Sequence, residues 1–570
     1  MIRLRRGTIA AVLLAGSCVL AAQSSPSLNP SAQQLEQLAT AQRWNEIVTR
    51  LQPIASRSAA MDYYLGLALA ELGHLAVARK VLASGSRLAP SDSRFPDELA
   101  GVAFRQKDSA AAIKYLRQAL RIAPSDTYAS NFLGTEYFLQ GNLDAALKYW
   151  NRVGKPYIAE IREDPTPQID PALLDRAFAF SPASTLSAPR LLRSQQRVRA
   201  LGVFQQFHFD LNARTDGNFD VVIRAHERNG LGGNRWEDLA LFFQGIPFQE
   251  VHPSYFNFHR EAINFDSMVR WDPQKRRIAA DLSGPFESGS FDRGAKYRWQ
   301  FSADLRNENW AIRNGFTGPA PVLAAFNMLQ QRAAFHLDSF TSPGFAWTAG
   351  AELSHRSFRS VAPGALLTPQ MLASGYQLKQ QAQFTATLLR VPEHRFTLTT
   401  KAASDAARLW SATPQTFEKL AGSLAWHWFP QIKGDDYETS QQLRAGKTFG
   451  QSPFDELFIL GLERDNDLPL RAHIGTRDGR KGSAPLGRDY LLENWELDKD
   501  LYANGILKLQ LGPFADIGKI TDPGTSLGSH QWLFDTGAQL KLRVLGAGLA
   551  FSYGKDLRTG NNAFYVRLIE

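Results

Sequence analysis

The sequence predicts a multidomain chain: an all-α repeat solenoid, a small α+β domain, and a C-terminal transmembrane antiparallel β-barrel of about 16 strands. Three observations predict it. A period of 34 residues runs through three units of the N-terminal third, a short βααββ order follows from Lys155, and beyond Asn229 stretches of roughly ten residues alternate apolar and polar side chains between turn residues.

Residues 1–22 read as a secretory signal. Arg3, Arg5 and Arg6 precede the apolar run Ile9 to Ala15, and Val19-Leu20-Ala21-Ala22 offers a cleavage site. The one cysteine, Cys18, stands in Ala15-Gly16-Ser17-Cys18, close to a lipoprotein box or simply a small residue of the leader, so disulfides and thiol chemistry are not expected after export. No later run of ~18 apolar residues exists, which excludes helical membrane spans. The formal charge of +9 is dispersed along the chain and is assigned to solvated faces and barrel interior; nucleic acid is not an expected partner.

Residues 28–154 carry the repeats. Leu65-Gly66, Leu99-Ala100 and Leu133-Gly134 recur, as do Ala78, Ala112 and Ala146, then Leu82, Leu116 and Trp150, with Pro90 and Pro124 closing the first two units. Small residues let paired helices approach, large ones fill the space between them, and proline ends the second helix. These positions resemble the tetratricopeptide pattern, and Trp44, Ile47 and Leu51 resemble a degenerate capping unit. The repeat register puts Tyr63, Asp97, Phe104, Tyr128, Asn131 and Phe138 on a concave face suited to a periplasmic partner or client segment; a spacer with an empty groove is the alternative.

Residues 155–228 read as βααββ: a strand at Tyr157 to Ile161, helices at Asp170 to Phe178 and Ala188 to Leu201, then strands at Phe204 to Leu211 and Phe219 to His226 around Asp216-Gly217-Asn218. Leu201-Gly202-Val203-Phe204 and Asp216 to Val222 resemble a polypeptide-transport-associated (POTRA) domain, which implies a strand edge offered to passing chains. A plain structural adaptor is the alternative.

Residues 229–570 make the barrel. Tyr297, Trp299, Phe301, Ala303 and Leu305 interleave with Arg298, Gln300, Ser302, Asp304 and Arg306, and Tyr376, Leu378 and Phe384 with Gln377, Lys379 and Gln383. A sheet in lipid survives only by closing, because every backbone group needs a partner. Leu470-Arg471-Ala472-His473, Pro485 to Tyr490, Asn494-Trp495-Glu496, Gly512 to Gly518 and Ser552 to Asp556 occur in the order of the outer-membrane assembly-factor and two-partner-secretion superfamily, the bacterial surface antigen barrels, which the chain resembles over roughly residues 155–570. That resemblance implies a loop folded into the barrel, with Arg471 set against inward residues of the following strands. Strand parity agrees: if Leu507, Leu509 and Leu511 face lipid, Lys508, Gln510, Phe514 and Asp516 face the lumen, so Arg471, Glu496, Phe514 and Asp516 form the expected loop lock. Ala472 and His473 depart from the glycine and aromatic of the pattern, and the last strand ends on Glu570 where relatives have an aromatic.

No catalytic constellation, cofactor motif or metal-ligand spacing is found. Gly446-Lys447-Thr448 lacks the earlier glycine of a phosphate loop, and Asp465-Asn466-Asp467 lacks the later ligands of a calcium loop. The expected protein is therefore not an enzyme. It is a polypeptide insertase or translocase of a Gram-negative-type outer membrane, with its N-terminal domains in the periplasm, lipid around the barrel, and an unfolded or secreted polypeptide as client. An export porin for a polysaccharide and an anchor for a periplasmic complex are the alternatives.

Overall fold

The computed structural model describes residues 30–232, 245–286, 296–313, 315–362, 367–431, 436–504, 507–522, 527–544 and 547–569, so the expected signal at residues 1–22, Cys18 and Glu570 lie outside the described residues. The chain divides into two compact units, Met1–Phe132 and Leu133–Glu570.

In the first unit, helices Ala32–Thr40, Trp44–Leu51, Ala59–Glu71, Leu75–Leu88, Arg94–Arg105 and Ser109–Ile122 follow one another as hairpins. Local chemistry starts them: Ser31 and Gln34 form a reciprocal capping box, and the Ser58 and Asp108 side chains accept from the amides of Met61 and Ala111. The helices of the second and third hairpins stop at Leu88 and Ile122, two residues before Pro90 and Pro124. The repeat positions Leu65, Ala78, Leu82, Leu99, Ala112 and Leu116 are all buried, with Ile47 and Leu51 of the first hairpin. Each leucine so buried contributes ~1.5–3 kcal/mol. A Cβ on Gly66 would lie 2.4 Å from Leu82 Cγ, which is why the smallest residue stands there.

The second unit begins with the end of helix Thr127–Leu139 and helix Leu143–Trp150. Phe138 packs on Trp150 and Phe219, with ring centroids 5.2 and 6.0 Å apart, so it joins the helix pair to the module that follows. That module has strands Tyr157–Asp164, Ser184–Thr185, Phe204–Ala213 and Phe219–Glu227, and helices Pro171–Ala177 and Ala188–Ala200. The predicted order stands, with the two-residue strand at Ser184 added. Tyr157–Asp164 runs parallel to Phe219–Glu227, and Phe204–Ala213 is left as a sheet edge. The Asp170 amide donates to the Arg260 carbonyl at 2.8 Å and Asn264 Nδ2 to the Leu201 carbonyl at 3.0 Å, which seats the module on the barrel.

Apart from the two-residue strands within residues 451–488, of which Phe458–Ile459 and Leu486–Gly487 pair with each other as a separate sheet, the remaining strands close into an antiparallel barrel, with Asn562–Ile569 beside Glu250–Val251. Its polarity is inverted relative to a water-soluble core. Cross-strand neighbours Phe301 and Phe335, and Leu353 and Leu378, point outward and are exposed, whereas Gln330, Arg356, Gln377 and Gln539 point inward and are at most 1% exposed. Strand Leu507–Thr521 follows the predicted parity: Gln510, Phe514 and Asp516 are buried inside while Leu511 is exposed outside.

Candidate functional site

Strands Tyr437–Gly450 and Asp489–Ala503 pair directly, Tyr437 opposite Lys499 and Lys447 opposite Asp489. The segment 451–488 between them therefore leaves the wall and returns beside its own point of departure. Its side chains meet the inward faces of strands around the barrel, so it occupies the lumen.

Three anchors hold it besides the predicted one. Phe454 stands edge-on to Trp310 and Phe326, at 4.9 Å from each ring centroid. Beside it, Asp455 accepts from Arg356 at 2.9 Å, and Glu456 takes Lys379 at 2.8 Å and Gln377 at 2.9 Å. Asp465 receives Arg270 at 2.8 Å and Arg277 at 2.5 Å. Lys481 Nζ stands 3.7 Å from the same carboxylate, so three cations surround the Asp465 charge in the lumen. Lys481 in turn reaches Glu308 at 2.6 Å. Sequence reasoning missed these anchors. Parity places Lys379 and Gln377 on the inward face, but nothing in the spacing says which loop acid each inward side chain meets.

The fourth anchor brings together Arg471, Glu496, Phe514 and Asp516. Leu470 is packed among Leu460, Leu468, Tyr490, Leu492, Ile520 and Leu533, and a turn closed by the His473 amide on the Leu470 carbonyl at 3.0 Å aims the arginine at the wall. Its Nη2 lies 2.6 Å from Asp516 Oδ1 and its Nη1 2.5 Å from Glu496 Oε1. The guanidinium carbon sits 3.9 Å from the Phe514 ring centroid, so the ring face covers the cation where water would otherwise stand. Arg471 and Asp516 are 1% and 0% exposed. Asn494 Nδ2 donates to Asp516 at 2.7 Å and Lys541 to the other Glu496 oxygen at 2.8 Å, which fixes both carboxylates. Next to the arginine, the Ala472 amide donates to Asp535 at 2.6 Å. Such an arrangement holds a loop across a polar lumen through desolvated ion pairs.

The predicted groove residues divide. In the first unit, Tyr63 donates from its hydroxyl to Glu98 at 3.3 Å beneath the Arg94 guanidinium, and Phe104 and Tyr128 are exposed on either side of Phe132, at 5.5 and 5.9 Å between centroids. Burial, followed by the charge of neighbouring Asp126, pushes the Asp97 carboxyl up to about 7. Asn131 is half-buried. Phe138 belongs to the junction with Trp150 and Phe219 described above.

The chain matches no protein-family model and no curated protein. Among solved structures it is similar to CdiB from Escherichia coli, at 12% identity over 73% of this chain and 76% of that one, with a TM-score of 0.47. CdiB from Acinetobacter baumannii aligns at 11% identity over 82% of this chain and 87% of its own, with a TM-score of 0.41. BamA from Haemophilus ducreyi lacking POTRA domains 1–3 aligns at 12% identity over 73% and 84%, with a TM-score of 0.40.

Proposed function

We propose that this chain is an outer-membrane barrel that inserts or translocates polypeptides, with no catalysis of its own, and that its tetratricopeptide-like arm recruits a client or partner in the periplasm. The observation that carries this reading is the lumenal segment 451–488, fastened to the wall by Arg471 on Asp516 and Glu496. An outward-facing apolar surface fits lipid, and a pore filled by a loop on breakable ion pairs fits conditional passage better than a permanently open channel. The edge Phe204–Ala213 of the POTRA-like module, which pairs on one side among the described residues, supports a client that adds as a strand, since backbone hydrogen bonds do not depend on client side chains.

The test is a deletion strain compared with its parent by surface and secreted proteomics together with surface-polysaccharide analysis. Loss of one or a few outer-membrane or secreted polypeptides, restored by the wild-type gene, is the expected result. An unchanged proteome with lost polysaccharide would replace this reading with an export porin. Slower migration on a denaturing gel after heating is expected of the purified chain, because a closed strand ladder resists detergent until heated.

A further inference from the structure

The loop contact next to Arg471 has an unbalanced charge. Asp535 and Asp556 are direct cross-strand partners on neighbouring wall strands, and both point into the lumen, 2% and 1% exposed. Among the described residues, no lysine or arginine forms an ion pair with either; the one basic group on them is His473 of the lumenal segment, whose Nδ1 lies 3.0 Å from Asp535 Oδ2. Asp556 takes neutral donors only, the Arg558 amide at 2.9 Å and the hydroxyls of Thr559 at 2.6 Å and Thr317 at 3.2 Å. Asp535 Oδ1 is buried and has no hydrogen-bond partner, although its sister oxygen accepts from the Ala472 amide and lies 3.0 Å from His473 Nδ1. Two buried carboxylates and an imidazole thus present one nitrogen and two oxygen donors within 4.8 Å of one another. Burying two carboxylates against at most one imidazolium leaves net negative charge in a confined space, which is costly unless a further positive charge is supplied.

We propose that His473, Asp535 and Asp556 bind one divalent transition-metal ion of the zinc class, which staples the lumenal segment to two wall strands. The imidazole nitrogen selects against calcium and magnesium, which prefer all-oxygen shells, and two carboxylates with one neutral histidine balance the charge of a divalent ion. The 3.0 Å between the histidine nitrogen and the Asp535 oxygen is near the ~3.3 Å that separates two ligands on a tetrahedral ion with bonds of about 2.0 Å. The free Asp535 oxygen or a water completes the shell. Because one ligand comes from the loop and two from the wall, the ion strengthens the same docking that Arg471 provides, by a different chemistry.

The experiment uses the full chain in detergent, stripped with chelator and titrated with Zn²⁺ by equilibrium dialysis, with Co²⁺ absorption as a second readout. One equivalent per chain is expected, together with a Co²⁺ visible band showing nitrogen ligation. Zn²⁺ should also protect the segment 466–475 from protease. His473→Ala, Asp535→Asn and Asp556→Asn should each weaken binding by about tenfold or more, each checked for folding by the heat-dependent gel shift. His427→Ala should leave it unchanged, because that imidazole faces Glu438 elsewhere in the barrel. A wild type that takes up no Zn²⁺ and gives no Co²⁺ band, or folded variants that bind as tightly as the wild type, overturns the site. Neither outcome depends on transport, so the metal site and the proposed function stand or fall separately.

Discussion

Arg471 holds Asp516 with both its main chain and its side chain: the backbone amide and Nε each donate to Asp516 Oδ2 at 2.9 Å, while Nη2 donates to Oδ1 at 2.6 Å. One carboxylate therefore fixes the loop backbone and the guanidinium together. Removing one partner of a buried ion pair costs about 3–5 kcal/mol, since the remaining charge stays desolvated, whereas a pair at the surface is worth ~1 kcal/mol or less. The wall strands keep their own ladder, so the loss falls on loop docking. Arg471→Ala is expected to raise single-channel conductance and protease cleavage within 466–475, and Asp516→Ala to do the same. The double mutant should be less than additive. Arg471→Lys should rescue only in part, keeping the charge without the fork. Strictly additive conductance effects with both Asp516 and Glu496 would refute the coupling.

Gly554 provides a steric route to the same state. A Cβ there would lie 2.4 Å from the Arg471 carbonyl oxygen and 2.8 Å from its carbon, atoms of the loop backbone that cannot rotate away. Gly554→Val should displace the loop while the Gly537 and Ala563 pairings of its strand persist. Conductance resembling that of Arg471→Ala, with the heat-dependent gel shift retained, is the expected result; wild-type conductance would show that the loop backbone yields without undocking.

Helix Leu143–Trp150 rests on the hairpin turn Pro392–His394 through Glu393, which receives Lys148 Nζ at 2.6 Å and the Tyr149 hydroxyl at 2.8 Å. Burial would raise this carboxyl, yet the bonds from Lys148 and Tyr149 and its own backbone hold it below its ordinary value. A lowered carboxyl pKa stabilises docking fully above the ordinary value of ~4.3 and loses that contribution as pH falls through the docked value. Spin-label distances between the helix and the turn should be narrow at neutral pH and broaden on acidification. Glu393→Gln should broaden them at neutral pH; a distribution equal to wild type would remove Glu393 from the dock.

Asp97 has the opposite sign. With its carboxyl raised to about 7 by burial and by Asp126, the folded state binds the proton more tightly than the unfolded chain. Its contribution to helix stability is thus fully present below the ordinary value of ~3.9 and is lost as pH rises to about 7. Amide exchange in helix Arg94–Arg105 should be slower at pH 5 than at pH 8 after correction for intrinsic rates, and Asp97→Asn should flatten that difference. A pH dependence unchanged by the substitution would assign the effect to other groups.

Periodicity and parity were legible in the chain itself, because they are local. The 34-residue spacing of Leu65, Leu99 and Leu133 marks helix hairpins, since each unit repeats the same packing problem, and the alternation of Leu378 with Gln377 and Lys379 assigns faces, since a strand has only two. Parity with the resemblance carried as far as Arg471 meeting Asp516. Contacts between segments distant in sequence were not legible. Lys379 meeting Glu456, Arg270 meeting Asp465, and His473 reaching the Asp535–Asp556 pair all depend on the path of segment 451–488 through the lumen. That path is set by where the barrel closes and how its strands are staggered, which no local pattern encodes. The sequence determined which side chains face inward; only closure of the sheet decided which of them meet, because each pairing is the minimum of a buried charge balance that exists only once the wall surrounds the loop.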